Sequence, residues 1–188
     1  MKTSIKQLRR HGNTLKKIEI RISGLGGQGV VLAGQILGRA AVYDGKNAVQ
    51  TQSYGAEARG SAAKSEVIIS DGKIGFPAVR KCDVLIAMNQ EALDRNLKDL
   101  KEKGILLVDS TNVENIPRTK AKVLKIPATE YAEKTFGSLI YVNMIMLGAL
   151  TKATKIVNEE AMEKAIEDVT AKNLAHVNKQ ACKKGEEL

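Results

Sequence analysis

The segment 23–34, SGLGGQGVVLAG, constrains the fold of this chain more than any other stretch. The residues before it, Ile18–Ser23, alternate between apolar and polar side chains with the period of two that predicts a β-strand. The residues after it, Val30–Tyr43, carry a broad apolar stripe with helical spacing, which Asp44-Gly45 ends. A strand, a glycine-rich turn and a helix in direct succession predict the first unit of an α/β fold.

Strands and helices continue to alternate along the first two thirds of the chain, after which the pattern is helical. Further strands are predicted at Asn47–Gln52, Ser65–Ser70, Asp83–Met88, Gly104–Asp109 and Lys122–Ile126. Further helices are predicted at Gln90–Lys103, Thr129–Lys134, Ser138–Thr151 and Asn158–Lys184, with Asn89 capping the first of these. This order predicts an α/β fold, a three-layer Rossmann-like domain with a mainly parallel sheet and a helical C-terminal third.

The charge of the chain is concentrated near its start. The 188 residues carry a formal net charge of +9, and most of the excess of lysine and arginine lies before the glycines. We therefore expect a basic N-terminal arm over residues 1–16 and one domain over residues 17–188. The arm could bind a phosphate backbone, dock on an acidic partner or be solvated. The nearly balanced charge of the remainder and an aromatic content of 3% argue against a nucleic-acid partner.

Several classes of site and location are poorly supported by the composition. Cys82 and Cys182 form no C-x-x-C pair, and His11 and His176 lack the spacing of metal ligands. The longest apolar run, Leu139–Leu150, is too short to span a bilayer, and the N-terminal arm lacks the apolar core of a signal peptide. We expect a cytoplasmic protein with no disulfide, no metal site and no membrane partner.

The glycine loop has the properties of an anion-binding turn. Gly24, Gly26, Gly27 and Gly29 let a ligand approach the backbone, and the free N–H groups at the start of a helix carry partial positive charge. A nicotinamide site also needs an acidic residue at the end of the second strand to hold the ribose, but that strand ends at Gln52 with no carboxylate. The alternative is a turn that serves only close packing of the strand against the helix.

A second informative stretch, QSYGAEARG, spans residues 52–60 directly after a predicted strand, where α/β proteins build ligand sites. Glu57 and Arg59 lie two residues apart between Gly55 and Gly60. They predict either a ligand-binding loop or a surface loop with a solvated ion pair.

Together these stretches resemble the gamma subunit of the 2-oxoacid:ferredoxin oxidoreductases, and the resemblance covers nearly all of the chain after the arm. It is carried by GLGGQGVVLAGQIL (24–37), QSYGAEARGSAAKSEVIIS (52–70), DVLIAMNQEAL (83–93), GILLVDS (104–110) and NMIMLGAL (143–150). The Tyr-Gly-x-Glu-x-Arg-Gly pattern is more similar to the 2-oxoglutarate branch than to the pyruvate branch. Ser61 and Ala56 stand where the family often has glycine and proline.

The resemblance implies a subunit of an enzyme that decarboxylates a 2-oxoacid, reduces ferredoxin and releases an acyl-CoA. Thiamine diphosphate, Mg²⁺ and the 4Fe-4S clusters would belong to partner alpha and beta, and possibly delta, subunits. This chain would contribute to assembly and to coenzyme A (CoA) handling, would bind no cofactor tightly by itself, and would be inactive in isolation. The binding residues implied or inferred are Gly24, Gly26, Gly27, Gln28, Gly29, Tyr54, Glu57 and Arg59.

Two alternative functions and one structural question stay open at this point. The chain could be a stand-alone dinucleotide-binding Rossmann protein, which would bind nicotinamide nucleotides by itself. It could be a basic nucleic-acid-binding module, whose affinity would fall steeply with salt. The nearly all-apolar segment Ser138–Leu150 predicts a helix buried either in the core or against another subunit.

Overall fold

A six-stranded mixed sheet forms the centre of the computed structural model, in which residues 17–54 and 61–188 are described. The strands are β1 Ile18–Leu25, β2 Asn47–Tyr54, β3 Ala62–Ser70, β4 Cys82–Ala87, β5 Leu100–Asp109 and β6 Lys122–Ile126. They lie in the order β2-β3-β1-β4-β5-β6. The β1–β4, β4–β5 and β5–β6 pairs are parallel, whereas β3 is antiparallel to both β1 and β2. The predicted mainly parallel α/β sheet is confirmed.

Six α-helices cover the sheet, together with two short 3-10 turns at Leu97–Asp99 and Leu139–Tyr141. The helices are α1 Val30–Tyr43, α2 Gln90–Asn96, α3 Ala128–Phe136, α4 Val142–Thr154, α5 Glu159–Val169 and α6 Lys172–Glu187. As predicted, Asn89 caps α2, and its side chain accepts a 2.8 Å hydrogen bond from the Ala92 N–H. Among the described residues, no helix has both the length and the hydrophobicity that a membrane span requires.

The position of β3 decides which residues meet at the edge of the sheet where β1 ends, which we call the carboxyl edge. Because β3 is antiparallel to its neighbours, its first residues lie beside the last residues of β1 and β2. Gly24 of β1 is in register with Ala63 of β3, which is in register with Tyr54 of β2. The glycine loop and the end of β2 therefore face the same edge, separated by one strand.

The two faces of the sheet have separate hydrophobic cores. The larger core joins the sheet to α1 and the C-terminal helices, and includes Ile20, Ile86 and Leu107. The smaller core lies on the α2 side and includes Leu85 and Leu106. Two sheet faces covered by helices produce the three layers that the sequence predicts.

Two predicted helices have wrong boundaries. The helix predicted at Gln90–Lys103 ends at Asn96, and β5 already begins at Leu100. The single helix predicted at Asn158–Lys184 is two helices, because the backbone is extended at Thr170, where φ is −97° and ψ is 158°. The break lets α5 pack against α1 while α6 packs against α4.

The apolar segment that follows Ser138 belongs to the core of this chain. Every residue of α4 from Val142 to Leu150 is buried, in part by α6. The two helices approach so closely that a Cβ on Gly148 would lie 1.8 Å from the Cys182 carbonyl oxygen, and a Cβ on Gly185 1.9 Å from that of Ile145. Of the two alternatives for this helix, burial in the core is the one observed.

Candidate functional site

The glycine loop between β1 and α1 is held open by left-handed backbone conformations. Gly27 has a φ of 100° and Gly29 a φ of 71°, values that favour glycine because it lacks a Cβ. Gly29 is also packed tightly, since a Cβ there would lie 2.2 Å from Asn143 Nδ2. A Cβ on Gly27 would meet no atom within 4 Å, so this residue faces open space. The loop combines a fixed end at Gly29 with an accessible backbone at Gly27.

Gln28 braces the loop from inside. Its Oε1 accepts hydrogen bonds from the Leu25 N–H at 2.7 Å and from Asn89 Nδ2 at 3.1 Å. The same oxygen would lie 2.6 Å from a Cβ on Gly24, which explains why glycine is needed there. The Gln28 side chain therefore shapes the loop, and its role as a binding residue stays a prediction.

The N-terminus of α1 points its partial positive charge toward this loop. No side chain caps this end of the helix, and no acidic residue lies in its first turn. An uncapped helix start beside a glycine turn attracts an anion, because N–H groups and the helix dipole act together. The predicted strand, glycine turn and helix are present, and the binding of an anion there stays a prediction.

A cleft of about 250 Å³ opens beside the glycine loop at the carboxyl edge, and we call it the edge cleft. Its lining includes Ser23, Gly24, Tyr54, Lys64, Arg95 and Asn96. Tyr54 is 61% exposed and stands at its rim. Larger openings of about 490 and 430 Å³ lie against α1 and α5 and at the opposite edge of the sheet, and their lining residues do not include the glycine loop. Of these three cavities, the edge cleft is the one that touches both sequence motifs, through Gly24 and Tyr54, whereas Gly26, Gly27, Gln28 and Gly29 are not among its lining residues.

The lining of the edge cleft includes two cations that the sequence did not point to. Lys64 comes from the start of β3 and Arg95 from α2, and both are partly exposed. Lys64 Nζ lies 3.3 Å from Glu66 Oε1, and Arg95 Nη2 lies 2.5 Å from Glu91 Oε1. Recognising Lys64 from sequence would have required knowing that β3 is antiparallel and begins at this edge.

A buried arginine underlies one wall of the cleft. Arg21, on the face of β1 opposite the larger core, is only 3% exposed. Its Nη1 donates to Asp99 Oδ2 at 2.6 Å and its Nε donates to Glu66 Oε1 at 2.8 Å. Its Nη2 donates to the Val79 carbonyl at 3.1 Å.

These contacts shift the acid–base equilibria of the arginine and its partner. Burial by itself would lower the pKa of Arg21, but the hydrogen bond to Asp99 and the charge of Glu66 outweigh it, so the pKa is raised. Burial by itself would raise the pKa of Asp99, but the hydrogen bond and charge of Arg21 outweigh it and the pKa is lowered. Both groups are ionised at neutral pH.

The predicted residues Glu57 and Arg59 lie outside the described residues. The described neighbours on both sides lie at the carboxyl edge, because Tyr54 lines the edge cleft and the Ser61 carbonyl accepts a 2.8 Å hydrogen bond from the Gly26 N–H. The roles of Glu57 and Arg59 stay predictions.

Among the described residues, the arrangement lacks the ribose-binding geometry of a nicotinamide site. In that kind of site the second strand lies beside the first and ends in an acidic residue. Here β3 separates β2 from β1, and β2 ends in Gln52, Ser53 and Tyr54. A phosphate-bearing ligand without that ribose contact fits the site better.

The cysteines offer no reactive thiol near the loop. Burial raises the pKa of Cys82 to about 11 and that of Cys182 to about 12, so both thiols stay protonated at neutral pH. Within residues 17–54 and 61–188, no three His, Cys, Asp or Glu side chains are grouped so that they could hold a metal ion.

Comparison with known proteins gives a consistent match over this domain. Residues 19–188 match the family described as pyruvate ferredoxin/flavodoxin oxidoreductase. The chain is 51% identical over 173 residues to the 2-oxoglutarate synthase subunit KorC of Methanocaldococcus jannaschii, covering 90% of this chain and 92% of that protein. It is similar to the crystal structure of the keto/oxoacid ferredoxin oxidoreductase gamma subunit of Geobacter sulfurreducens, with a TM-score of 0.81 and 46% identity over 90% of this chain and 96% of that one.

A larger solved structure contains a similar domain. The 2-oxoglutarate:ferredoxin oxidoreductase of Magnetococcus marinus, described with 2-oxoglutarate, coenzyme A and succinyl-CoA bound, matches with a TM-score of 0.83 and 25% identity. The match covers 92% of this chain and 31% of that one. One long chain of that enzyme therefore includes a domain with this fold.

Proposed function

The chain belongs to the pyruvate ferredoxin/flavodoxin oxidoreductase family, and from this premise we propose that it is the gamma subunit of a 2-oxoglutarate ferredoxin oxidoreductase. Such an enzyme converts a 2-oxoacid and CoA to an acyl-CoA and CO₂ and reduces ferredoxin. The 51% identity to a 2-oxoglutarate synthase subunit supports this substrate branch. A stand-alone dinucleotide-binding protein is disfavoured, because the relatives are subunits of oxidoreductases and β2 lacks the ribose-binding acid.

Within the complex, we assign CoA handling to the edge cleft and the glycine loop. The observation that carries this assignment is the uncapped N-terminus of α1 beside a cleft that contains Lys64 and Arg95. CoA bears a pyrophosphate and a 3′-phosphate, and cations and backbone N–H groups are the partners that phosphates prefer. The bound CoA described for the Magnetococcus marinus enzyme supports the ligand class.

The remaining chemistry is assigned to other subunits. Thiamine diphosphate, Mg²⁺ and the 4Fe-4S clusters would lie on alpha and beta, and possibly delta, chains, which pass electrons to ferredoxin. This chain supplies phosphate-binding backbone and cations, orients CoA and closes one side of the cavity where the acyl group is transferred. We place the complex in the cytoplasm, where its free cysteines stay reduced.

Exposed apolar residues beside the loop support a partner surface at the carboxyl edge. Leu139 is 55% and Ile140 56% exposed, and both directly precede α4, whose Asn143 side chain donates a hydrogen bond to the Gly29 carbonyl. Tyr54 is exposed on the other side, at the cleft. Exposed apolar side chains around a ligand site favour contact with another subunit. We propose that this edge packs on the subunit that holds thiamine diphosphate.

The experiment compares two lysine substitutions in the complex assembled from all subunits. Lys64→Gln removes a cleft cation, and Lys120→Gln removes an exposed lysine that is likewise 3.3 Å from a glutamate oxygen but is not among the residues lining the cleft. A lost charge-assisted hydrogen bond costs about 1.5–3 kcal/mol, so the Kd for CoA should rise about ten- to a hundredfold for Lys64→Gln. Calorimetric titration with CoA measures the Kd of the Lys64→Gln and Lys120→Gln complexes. An unchanged Kd in the assembled Lys64→Gln complex would place CoA elsewhere.

A further inference from the structure

Arg21 occupies an unusual position for a charged residue. It lies in the central part of β1, two residues before the cleft residue Ser23, and is almost fully buried. A buried arginine carries a large desolvation cost unless several acceptors satisfy its guanidinium. Here the acceptors come from four separate parts of the chain: Glu66 of β3, the Val79 carbonyl, Asn96 of α2 and Asp99 of the following turn.

Two hydrogen bonds in series lead from Arg21 through Asn96 to Ser23 at the wall of the edge cleft. Arg21 Nη1 lies 3.4 Å from Asn96 Oδ1, and Asn96 Nδ2 donates to Ser23 Oγ at 3.0 Å. Asn96 and Ser23 both line the cleft. The orientation of the Asn96 amide is therefore set jointly by Arg21, which does not itself line the cavity, and by the Ala92 carbonyl, which accepts a 2.8 Å hydrogen bond from Asn96 Nδ2.

The third contact concerns the charge of Lys64. Glu66 Oε1 lies 2.7 Å from Arg21 Nη2 and 3.3 Å from Lys64 Nζ, so one carboxylate oxygen is shared by two cations. Arg21 is the closer and more buried of the two. Arg21 also pairs with Asp99, so it offsets only part of the Glu66 charge, and Glu66 therefore holds Lys64 less strongly than an otherwise unpaired carboxylate would.

We propose that Arg21 is a positioning residue for phosphate binding in the edge cleft, acting on Lys64 through Glu66 and on Ser23 through Asn96. The inference rests on the proposed function, since it takes a phosphate of CoA as the ligand. Arg21 does not touch that ligand. It fixes the wall that does, and it weakens the hold of Glu66 on Lys64.

The test uses the assembled complex and three substitutions. Arg21→Lys keeps the charge but loses the planar fork that reaches several acceptors at once. Asn96→Ala removes the link between Arg21 and Ser23, together with the hydrogen bond to the Ala92 carbonyl, and is the variant that carries the test if Arg21→Lys fails to assemble. Asp83→Asn is the control, because Asp83 belongs to a separate network with Glu19 and Lys101 at the opposite edge of the sheet.

We expect both Arg21→Lys and Asn96→Ala to raise the KM for CoA about fivefold or more while kcat at saturating CoA stays unchanged, the effect of losing about one net hydrogen bond. The calorimetric Kd for CoA should rise in parallel, and Asp83→Asn should leave both constants unchanged. A merely structural role would predict the same effect for the control, because all three changes loosen a buried polar network.

The outcomes separate this inference from the function on which it rests. If Lys64→Gln weakens CoA binding but Arg21→Lys and Asn96→Ala do not, the positioning role is wrong and the CoA assignment stands. If Asp83→Asn raises the KM for CoA as much as the other two, the effect is general loosening and the positioning role is wrong. If none of these substitutions, including Lys64→Gln, changes CoA binding, the CoA assignment itself fails and the inference fails with it.

Discussion

Individual glycines in this chain serve different purposes, although all look alike in sequence. Gly24 makes room for the Gln28 side chain, Gly29 makes room for Asn143, and Gly27 has free space but a left-handed backbone. Gly38, within α1, has neither a positive φ nor an atom within 4 Å of a Cβ. The motif therefore mixes packing requirements with a backbone requirement, and Gly27 combines a left-handed backbone with an exposed position.

Alanine substitutions distinguish these purposes. We expect Gly29→Ala to lower the free energy of unfolding by about 2–4 kcal/mol, since it adds a steric clash to left-handed strain. Gly27→Ala should cost only about 1 kcal/mol, and Gly38→Ala should stabilise by about 0.5–1 kcal/mol because alanine is the better helix former. Urea unfolding measures the free energy of unfolding of the three variants. Equal losses at positions 27 and 29 would contradict the packing assigned to Asn143.

Acid should weaken the fold through carboxylates held by lysine and arginine. Burial by itself would raise the pKa of Asp99 and of Glu19. The hydrogen bond from Arg21 outweighs burial and lowers the pKa of Asp99, and the hydrogen bonds from Lys17 and Lys101 do the same for Glu19. An acid with a lower pKa in the folded state stabilises the protein above its unfolded pKa, and this contribution disappears as the pH falls through the folded value. We expect the urea midpoint to fall progressively below about pH 4.5.

Asp99→Asn provides the comparison for this pH effect. It removes one of the shifted carboxylates, so the fall of the urea midpoint on acidification should be shallower than in the unsubstituted chain. If the two chains show the same dependence between about pH 3 and pH 5, Asp99 has no part in it.

At the scale of elements, the sequence predicts which strands exist better than it predicts where helices end. All six strands are where hydrophobic runs and period-two alternation predict them, with Lys122–Ile126 matching in both boundaries. The helix predicted after β4 is too long because Leu97 and Leu100 also fit its apolar spacing, whereas Arg21 binds Asn96 and Asp99 and β5 starts directly afterwards. Local periodicity cannot show a contact made by a residue more than 70 positions away.

The charged side chains of β1 show that local sequence patterns also fail to predict distant contacts at the site. The pattern Ile18-Glu-Ile-Arg-Ile predicts that one face of the strand is polar, but not that Arg21 on this face is buried. The glycine loop and the end of β2 were predicted to be functional, and the structure brings them to one edge. Lys64 and Arg95 were missed, because their position depends on the antiparallel pairing of β3 and on the packing of α2.

The contact between α4 and α6 gives the strongest prediction at this scale. We expect Gly148→Ala to lower the free energy of unfolding by about 3 kcal/mol or more, because the added Cβ would overlap the Cys182 carbonyl and push the helices apart. Gly185→Ala should have a similar effect for the reciprocal reason. Denaturant unfolding measures the free energy of unfolding of each variant. Gly72→Ala is the control, because the nearest atom to a Cβ on Gly72 is 4.0 Å away. A loss below about 1 kcal/mol at both positions would mean that the helices separate easily.

At the scale of the whole molecule, the carboxyl edge should join the chain to its partner subunits. Leu139→Asp and Ile140→Asp should abolish or weaken assembly while leaving the isolated chain folded, since both side chains are already more than half exposed. Val42→Asp is the matched control, at 54% exposure and on α1 rather than beside the glycine loop. Co-purification with the other subunits measures assembly. Equal losses for all three variants, or a loss for Val42→Asp alone, would place the interface elsewhere.

The order of the strands also bears on the solubility of the chain when its partners are missing. Of the two outer strands, β6 has only five residues and two lysines, whereas the eight residues of β2, NAVQTQSY, include no charge and no proline. Long uncharged outer strands are templates on which further chains add by backbone hydrogen bonding, and lysines discourage this. Surplus copies made without partners should therefore aggregate through β2. We expect Thr51→Lys to reduce the light scattering of a concentrated sample, whereas Asn115→Lys, which adds the same charge at an exposed position outside the sheet, should leave it unchanged.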